Sequence, residues 1–356
     1  MLRTRGLRQG ALAVMLTLPL LLSACGGSDG AIDQPPADVE AQMLTAAEGK
    51  TSSLGTSPSL QDEAHMNANM TVFVQDRHGY LAPISYQWDA DNTKSLAQAS
   101  LELLVDGGTH KEKLPSGFTA TLPKGTTVTN LTLKPDQKLA IVELSKQFAN
   151  YEPAEERKIL ESITWTLTSL PEIENVQLWM DSQKLNEMPV DGTPLDVPLN
   201  RQFGINVEKS DTVSYLRSMP VTLYFSSYNE DGKSYFVPVT RLIEPYDEPV
   251  QATLEQMIEG PLDKKAMAMA ATKETKINGI SRAGDTLTVD LADSMFAEGD
   301  PIPAELLKSV VLSLTEQKGI AKVQVKINGI TDIQGTDKKD YSVPVARPVV
   351  NLAWKG

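Results

Sequence analysis

Ser162-Ile163-Thr164-Trp165-Thr166-Leu167-Thr168-Ser169-Leu170-Pro171-Glu172-Ile173-Glu174-Asn175-Val176-Gln177-Leu178 is written again 147 residues later. The second copy reads Ser309-Val310-Val311-Leu312-Ser313-Leu314-Thr315-Glu316-Gln317-Lys318-Gly319-Ile320-Ala321-Lys322-Val323-Gln324-Val325. Identities fall at Leu167/Leu314, Thr168/Thr315, Ile173/Ile320, Val176/Val323 and Gln177/Gln324. Two earlier blocks recur in the same order. Tyr80-Leu81-Ala82-Pro83-Ile84-Ser85 matches Tyr235-Phe236-Val237-Pro238-Val239-Thr240 at an offset of 155, and Gln98-Ala99-Ser100-Leu101-Glu102 matches Gln251-Ala252-Thr253-Leu254-Glu255 at 153. Chance alignment does not hold order and offset together, so the chain carries two homologous domains, at 70–200 and 215–348.

Each copy reads as β-β-α-β-β-α-β. Thr71-Val72-Phe73-Val74 and Val221-Thr222-Leu223-Tyr224-Phe225 are β-branched or aromatic. Each leads through a glycine-containing turn, Arg77-His78-Gly79 or Glu230-Asp231-Gly232, into a second extended run, which makes a hairpin. Leu96, Ala99, Leu103 and Leu104 recur at helical spacing, and Gly107 or Gly260 follows as a helix stop. Two strands about a turn come next, 128–133 with 139–144 and 276–280 with 287–291. Ile159, Ile163, Leu167 and Leu170, mirrored by Leu306/Leu307, Val310, Val311 and Leu314, form the stripe of a second helix. Alternation around Val176 and Val323 adds a last strand. The expected class is α+β: two tandem α/β sandwich domains, each a sheet with two helices on one face, since neither helix shows a second apolar face.

Outside the repeat, the first 25 residues read as an address. Arg3, Arg5 and Arg8 precede an uncharged run from Ala11 to Leu22 that ends in Ser23 and Ala24, the layout of a secretory signal peptide over 1–24. At about 12 residues the run falls short of the roughly 20 a spanning helix needs. Leu22-Ser23-Ala24-Cys25 matches the bacterial lipobox, in which the cysteine takes a diacylglyceryl group and becomes the mature N-terminus; Cys25 is therefore the expected lipid attachment residue. Two acyl chains give stable membrane attachment, each buried methylene contributing about 0.8 kcal/mol. Residues 25–69, punctuated by glycine and proline, read as a flexible tether with a typical span of roughly 35–40 Å. Residues 349–356 are read as a tail.

Composition narrows the partners. The 356 residues are 41% apolar and 22% charged, with 33 basic and 46 acidic side chains and a net charge of −13. Removing residues 1–24 takes away three arginines and no acid, leaving −16. An acidic body with no basic stripe argues against nucleic acid, and an anionic membrane would repel it, so the lipid must hold it there. One cysteine excludes an internal disulfide and a thiolate metal cluster.

No chemistry-bearing motif survives inspection of its context. Gly26-Gly27-Ser28-Asp29-Gly30 has the G-x-S-x-G pattern but adjoins the lipidated residue instead of joining a strand to a helix. Gly49-Lys50-Thr51 resembles the end of a P-loop, with Leu44 where the first glycine belongs. His65, His78 and His110 have no metal-ligand spacing. Asp89-Ala90-Asp91-Asn92 begins like a calcium loop without its later glycine and glutamate, and reads as a polar helix start. Trp88, Trp165 and Trp179 read as core or half-buried residues, and Trp354 as either a partner anchor or a contact back onto its own chain. No acid–base site occurs in both copies, so the expectation is no enzyme activity, no cofactor, no metal and no small-molecule substrate.

Leu114-Pro115-Ser116-Gly117-Phe118, the block 162–168, Glu187-Met188-Pro189-Val190-Asp191-Gly192-Thr193-Pro194 and the block 235–240 resemble the GerM family of sporulation and spore-germination lipoproteins, built from tandem GerMN domains. The resemblance covers nearly the whole mature chain. It implies ring-building-motif-like domains and a non-enzymatic protein, anchored on the extracytoplasmic face of the forespore membrane. Such a protein would contact envelope proteins of the channel complex between mother cell and forespore. One departure is Ala266 to Ala271, which stands where the first copy has its Leu-Pro-x-Gly turn. A substrate-binding lipoprotein of a membrane transporter shares the signal, the lipid and the two-lobed size. It needs a hinge and a ligand cleft, whereas each copy here is complete in sequence. A cell-wall hydrolase would need a catalytic constellation that the sequence lacks.

Overall fold

The computed structural model describes residues 68–89, 92–209, 213–214 and 217–353. Cys25, Ser28, Gly49-Lys50-Thr51, His65 and Trp354, with the signal reading and the tether as far as residue 67, lie outside the described residues, whereas Ala68 and Asn69, read as the end of the tether, begin the first strand because they pair with Trp88 and Gln87. In the first copy β1 (Ala68–Asp76) and β2 (Leu81–Trp88) form an antiparallel hairpin, joined at one edge by β3 (Phe118–Thr119). Helix α1 (Thr93–Leu103) follows the hairpin, and its first turn is capped by the Asn92 side chain, which accepts from the Ser95 amide at 3.0 Å. A second sheet has the order β4 (Val128–Lys134), β5 (Leu139–Leu144), β6 (Asn175–Met180), β7 (Gln183–Lys184). Helix α2 (Glu156–Leu167) is the crossover that makes β5 and β6 parallel.

A short strand, β8 (Glu208–Lys209), leads to the second copy, which repeats the plan with β9 (Met219–Tyr228), β10 (Ser234–Ile243), α3 (Pro249–Glu259), β11 (Lys276–Ala283), β12 (Thr286–Ala292), α4 (Ala304–Leu314), β13 (Lys322–Ile327) and β14 (Val345–Ala346). Its sheets run β8-β10-β9 and β11-β12-β13-β14. Gly260 ends α3 directly with a φ of +88°. In the first copy α1 stops at Leu103, and Gly107 takes its positive φ further on.

The class is α+β with a duplicated unit, as the repeat predicts. Within each copy, however, the strands divide between two sheets, and the second helix is buried nearly all round rather than along one stripe. Its polar residues explain this. The free edge of β1 would leave Phe73 with an unpaired amide and carbonyl; Thr166 Oγ1 accepts from the amide at 2.9 Å and Ser162 Oγ donates to the carbonyl at 2.6 Å. Ser313 Oγ likewise accepts from the Tyr224 amide at 2.9 Å. Helices α2 and α4 thus stand in for a neighbouring strand, satisfying groups that would otherwise cost about 1–3 kcal/mol each.

The two copies are not separate bodies. The described residues all fall in one compact unit, and a continuous apolar cluster runs from Met70, Val72 and Val74 in the first copy to Val221, Leu223 and Val239 in the second. β2 and β10 are buried along six or seven successive positions, on both faces of the ribbon. One face packs on the copy's own helices and the other meets the other copy.

Candidate functional site

The contact between the copies is built from two short straps, and each crosses to the other domain. The strap after the first copy lies along β10: β8 pairs with it in parallel, and the Thr240 amide donates to Ile205 O at 2.8 Å. The strap after the second copy lies along β2: Leu352 bridges Ser85 in parallel, and the Ser85 amide donates to Asn351 O at 2.9 Å. Residues 349–353, read in the sequence as the start of a tail, are therefore part of the first copy's packing.

One asparagine in each strap locks the arrangement. Asn206 accepts from the Leu81 amide at 2.8 Å and donates to Leu81 O at 2.8 Å and Pro238 O at 2.7 Å. Asn351 accepts from the Phe236 amide at 2.7 Å and donates to Phe236 O at 2.8 Å and Pro83 O at 2.7 Å. Leu81 and Pro83 align with Phe236 and Pro238, so the same three bonds are made with the copies exchanged. Both asparagines hold left-handed backbone, with φ of +47° and +48°, a conformation asparagine tolerates better than most residues. Two small apolar clusters are likewise equivalent, each seating a strap residue on its own copy: Phe73, Leu81, Trp165 and Ile205 in one, Tyr224, Phe236, Leu312 and Val350 in the other. The sequence reading missed the straps. Their signal is Ile205-Asn206-Val207 against Val350-Asn351-Leu352, each a few residues after an arginine.

Those arginines meet on one carboxylate. Arg201 Nη1 donates to both oxygens of Glu316, at 2.9 and 2.7 Å, and Arg347 Nη2 donates to Glu316 Oε1 and to the Tyr224 hydroxyl. The Tyr224 hydroxyl donates to Glu316 at 2.7 Å. Burial pushes the Glu316 carboxyl up, but the two guanidinium groups and the hydroxyl outweigh it and hold the carboxyl down at about 2. Arg201 also stacks on Trp165, 4.4 Å from guanidinium carbon to ring centroid. A second pair, Arg241 with Glu208 at 2.7 Å, is buried where β8 meets β10.

Two concave surfaces face outward. A cleft of about 980 Å³ beside Tyr80 is lined by Arg157, Lys158, Glu161, Lys264 and Lys265. A groove of about 810 Å³ runs between α3 and β11, the edge strand of its sheet. Val250, Ile258, Ile277 and Ile280 supply apolar surface to it, Glu248, Glu255 and Glu259 line the helix side, and Lys276 sits on the strand. None of those three carboxylates forms an ion pair among the described residues. In the first copy the residue aligned with Glu255, Glu102, faces His110 at 3.7 Å.

The other residues singled out in the sequence are placed as follows. His78 is exposed in its hairpin turn, with Nε2 accepting from Arg77. His110 packs edge-on against Trp88, over which Lys113 also lies. Among the described residues no three His, Cys, Asp or Glu side chains gather as a metal site. Trp165 is buried and donates to Gly204 O at 2.8 Å, and Trp179 is half-buried and donates to Gln177. The loop Ala266 to Ala271 differs in sequence from the first copy's turn but lands on the equivalent strand. Ala268 bridges Ser226 of β9, much as Thr119 pairs with Gln75 of β1.

The family model for Germane, described as sporulation and spore germination, matches residues 68–186 and 222–332, once in each copy. The spore germination protein GerM of Bacillus subtilis (strain 168) is 35% identical over 353 residues, spanning 94% of this chain and 95% of that protein. The chain belongs to the Germane family. A solved structure of the tandem GerMN domains of the Bacillus subtilis sporulation protein GerM is similar at a TM-score of 0.74 and 34% identity, covering 81% of this chain and all of that one. Family and tandem fold are those the residue resemblance implied. For a Germane protein of this build, the two straps among the described residues clasp the halves together, whereas the transporter reading needs a hinge and a cleft between them.

Proposed function

We propose that this chain is a membrane-tethered, non-enzymatic member of the Germane family that supports sporulation and germination by contacts with other envelope proteins. In this reading the diacylglyceryl group on Cys25 holds it on the extracytoplasmic face of the forespore membrane, and its partners belong to the channel complex between mother cell and forespore. The observation that carries the contact role is the groove between α3 and β11. There an edge strand, exposed isoleucine and three carboxylates that form no ion pair among the described residues lie together. An open strand edge offers backbone hydrogen bonds to an added strand, and the flanking acids favour a basic one. Family membership supports the sporulation setting.

The test is genetic and biochemical together. Sporulating cells carrying Glu255→Lys with Glu259→Lys are expected to keep normal protein levels while losing sporulation and the pull-down of channel components. Normal sporulation of a strain lacking the chain, with no channel component recovered by the wild type, overturns the reading. Cys25→Ala is expected to move the chain from the membrane to the soluble fraction and to abolish labelling by fatty acid.

A further inference from the structure

The approximate twofold relation between the copies brings equivalent residues to one place, and there the match is incomplete. Arg201 and Arg347 occupy equivalent strap positions, and Thr168 and Thr315 accept from them in turn, Thr168 from Arg201 Nε at 3.1 Å and Thr315 from Arg347 Nη1 at 3.0 Å. The next residue in each copy differs: Glu316 in the second, Ser169 in the first. Two cations therefore share one carboxylate. Beside them lies a cavity of about 350 Å³, lined also by Asn69, Thr71, Thr168 and Ser169 and by no other charged side chain. One positive charge in that lining is unmatched. Among the described residues, one Nη2 hydrogen of Arg201 and the Nε hydrogen of Arg347 have no acceptor.

We propose that this cavity binds a small carboxylate anion, which takes the place a second glutamate would fill at position 169. Charge sets the class, because one missing negative charge restores the balance of two arginines. Size agrees: at about 30 Å³ per water, the cavity holds roughly twelve waters' volume, room for an acetate-sized group with part of its hydration. Guanidinium donors suit a carboxylate, whose two oxygens match their fork. The anion would bridge groups from both copies, so its binding stabilises the clasp between them.

Thermal unfolding of the full chain in sodium acetate and in sodium chloride at matched ionic strength tests this. Acetate is expected to raise the midpoint by roughly 2–4 °C over chloride, and ¹³C-acetate to broaden in the presence of wild-type protein. Ser169→Glu supplies the carboxylate covalently. It is expected to raise the midpoint in chloride and to remove both the acetate response and the line broadening. Ser169→Gln, of the same size without the charge, is expected to give no such rise. Equal midpoints in the two salts with no broadening overturn the proposal, as does a broadening or acetate response that Ser169→Glu leaves intact.

Discussion

Asn206 and Asn351 each make three hydrogen bonds from a half-buried amide, and each set joins backbone of both copies. Asn206→Ala leaves the Leu81 amide and two carbonyls without partners and puts alanine at a φ of +47°. A loss of about 1–3 kcal/mol is expected by urea unfolding, and Asn351→Ala is expected to cost a similar amount because its bonds are the same set exchanged. Glu316 gives a pH signature. Its carboxyl sits at about 2 instead of 4.5, so its contribution is complete above pH 4.5 and is lost as the pH falls from 4.5 towards 2. The expected size is about 3 kcal/mol, and Glu316→Gln is expected to flatten the acid limb of the stability profile in that window. At this scale the sequence is least informative. Glu316 aligns with Ser169 and neither stands out from its neighbours, while the partners of both strap asparagines lie far off in the chain.

Among the elements, the helices and hairpins are legible because their signals are local: apolar stripes at helical spacing, β-branched runs and glycine turns. What the pattern hides is the second face of α2 and α4. Ser162, Thr166 and Ser313 look like a solvated side in a periodicity count, yet they are buried because their hydroxyls serve a strand edge. Exchanging Thr166 for valine keeps the shape and removes the acceptor of the Phe73 amide, and about 1–3 kcal/mol of stability is expected to go with it. The groove strand behaves oppositely. Ile280 is 37% exposed, so Ile280→Lys is expected to change stability by less than about 0.5 kcal/mol while abolishing capture of the proposed channel partner; a lysine that leaves capture unchanged removes β11 from the proposed contact.

For the molecule as a whole, the repeat revealed the duplication and the class but suggested two bodies where there is one. Sequence blocks report homology, whereas joint burial depends on a hairpin apolar on both faces, visible only as the unbroken runs at 81–84 and 235–239. Because the apolar cluster spans both copies, calorimetry of the full chain is expected to show one transition with matching calorimetric and van't Hoff enthalpies. Ending the chain at Arg347 uncovers β2 and removes Val350 and Asn351; a loss of about 3–5 kcal/mol is expected from one buried aliphatic side chain and its strap hydrogen bonds.

The crossing straps also set a schedule. The first half cannot be completed until residues 350–353 have been made, since Val350 to Ala353 supply its missing flank. A chain that emerges N-terminus first, as the proposed export requires, would stay open until residue 353 had emerged, and would then close both halves together. Duplication with exchange thus keeps the polypeptide pliable until its second strap is made, and makes it rigid only then.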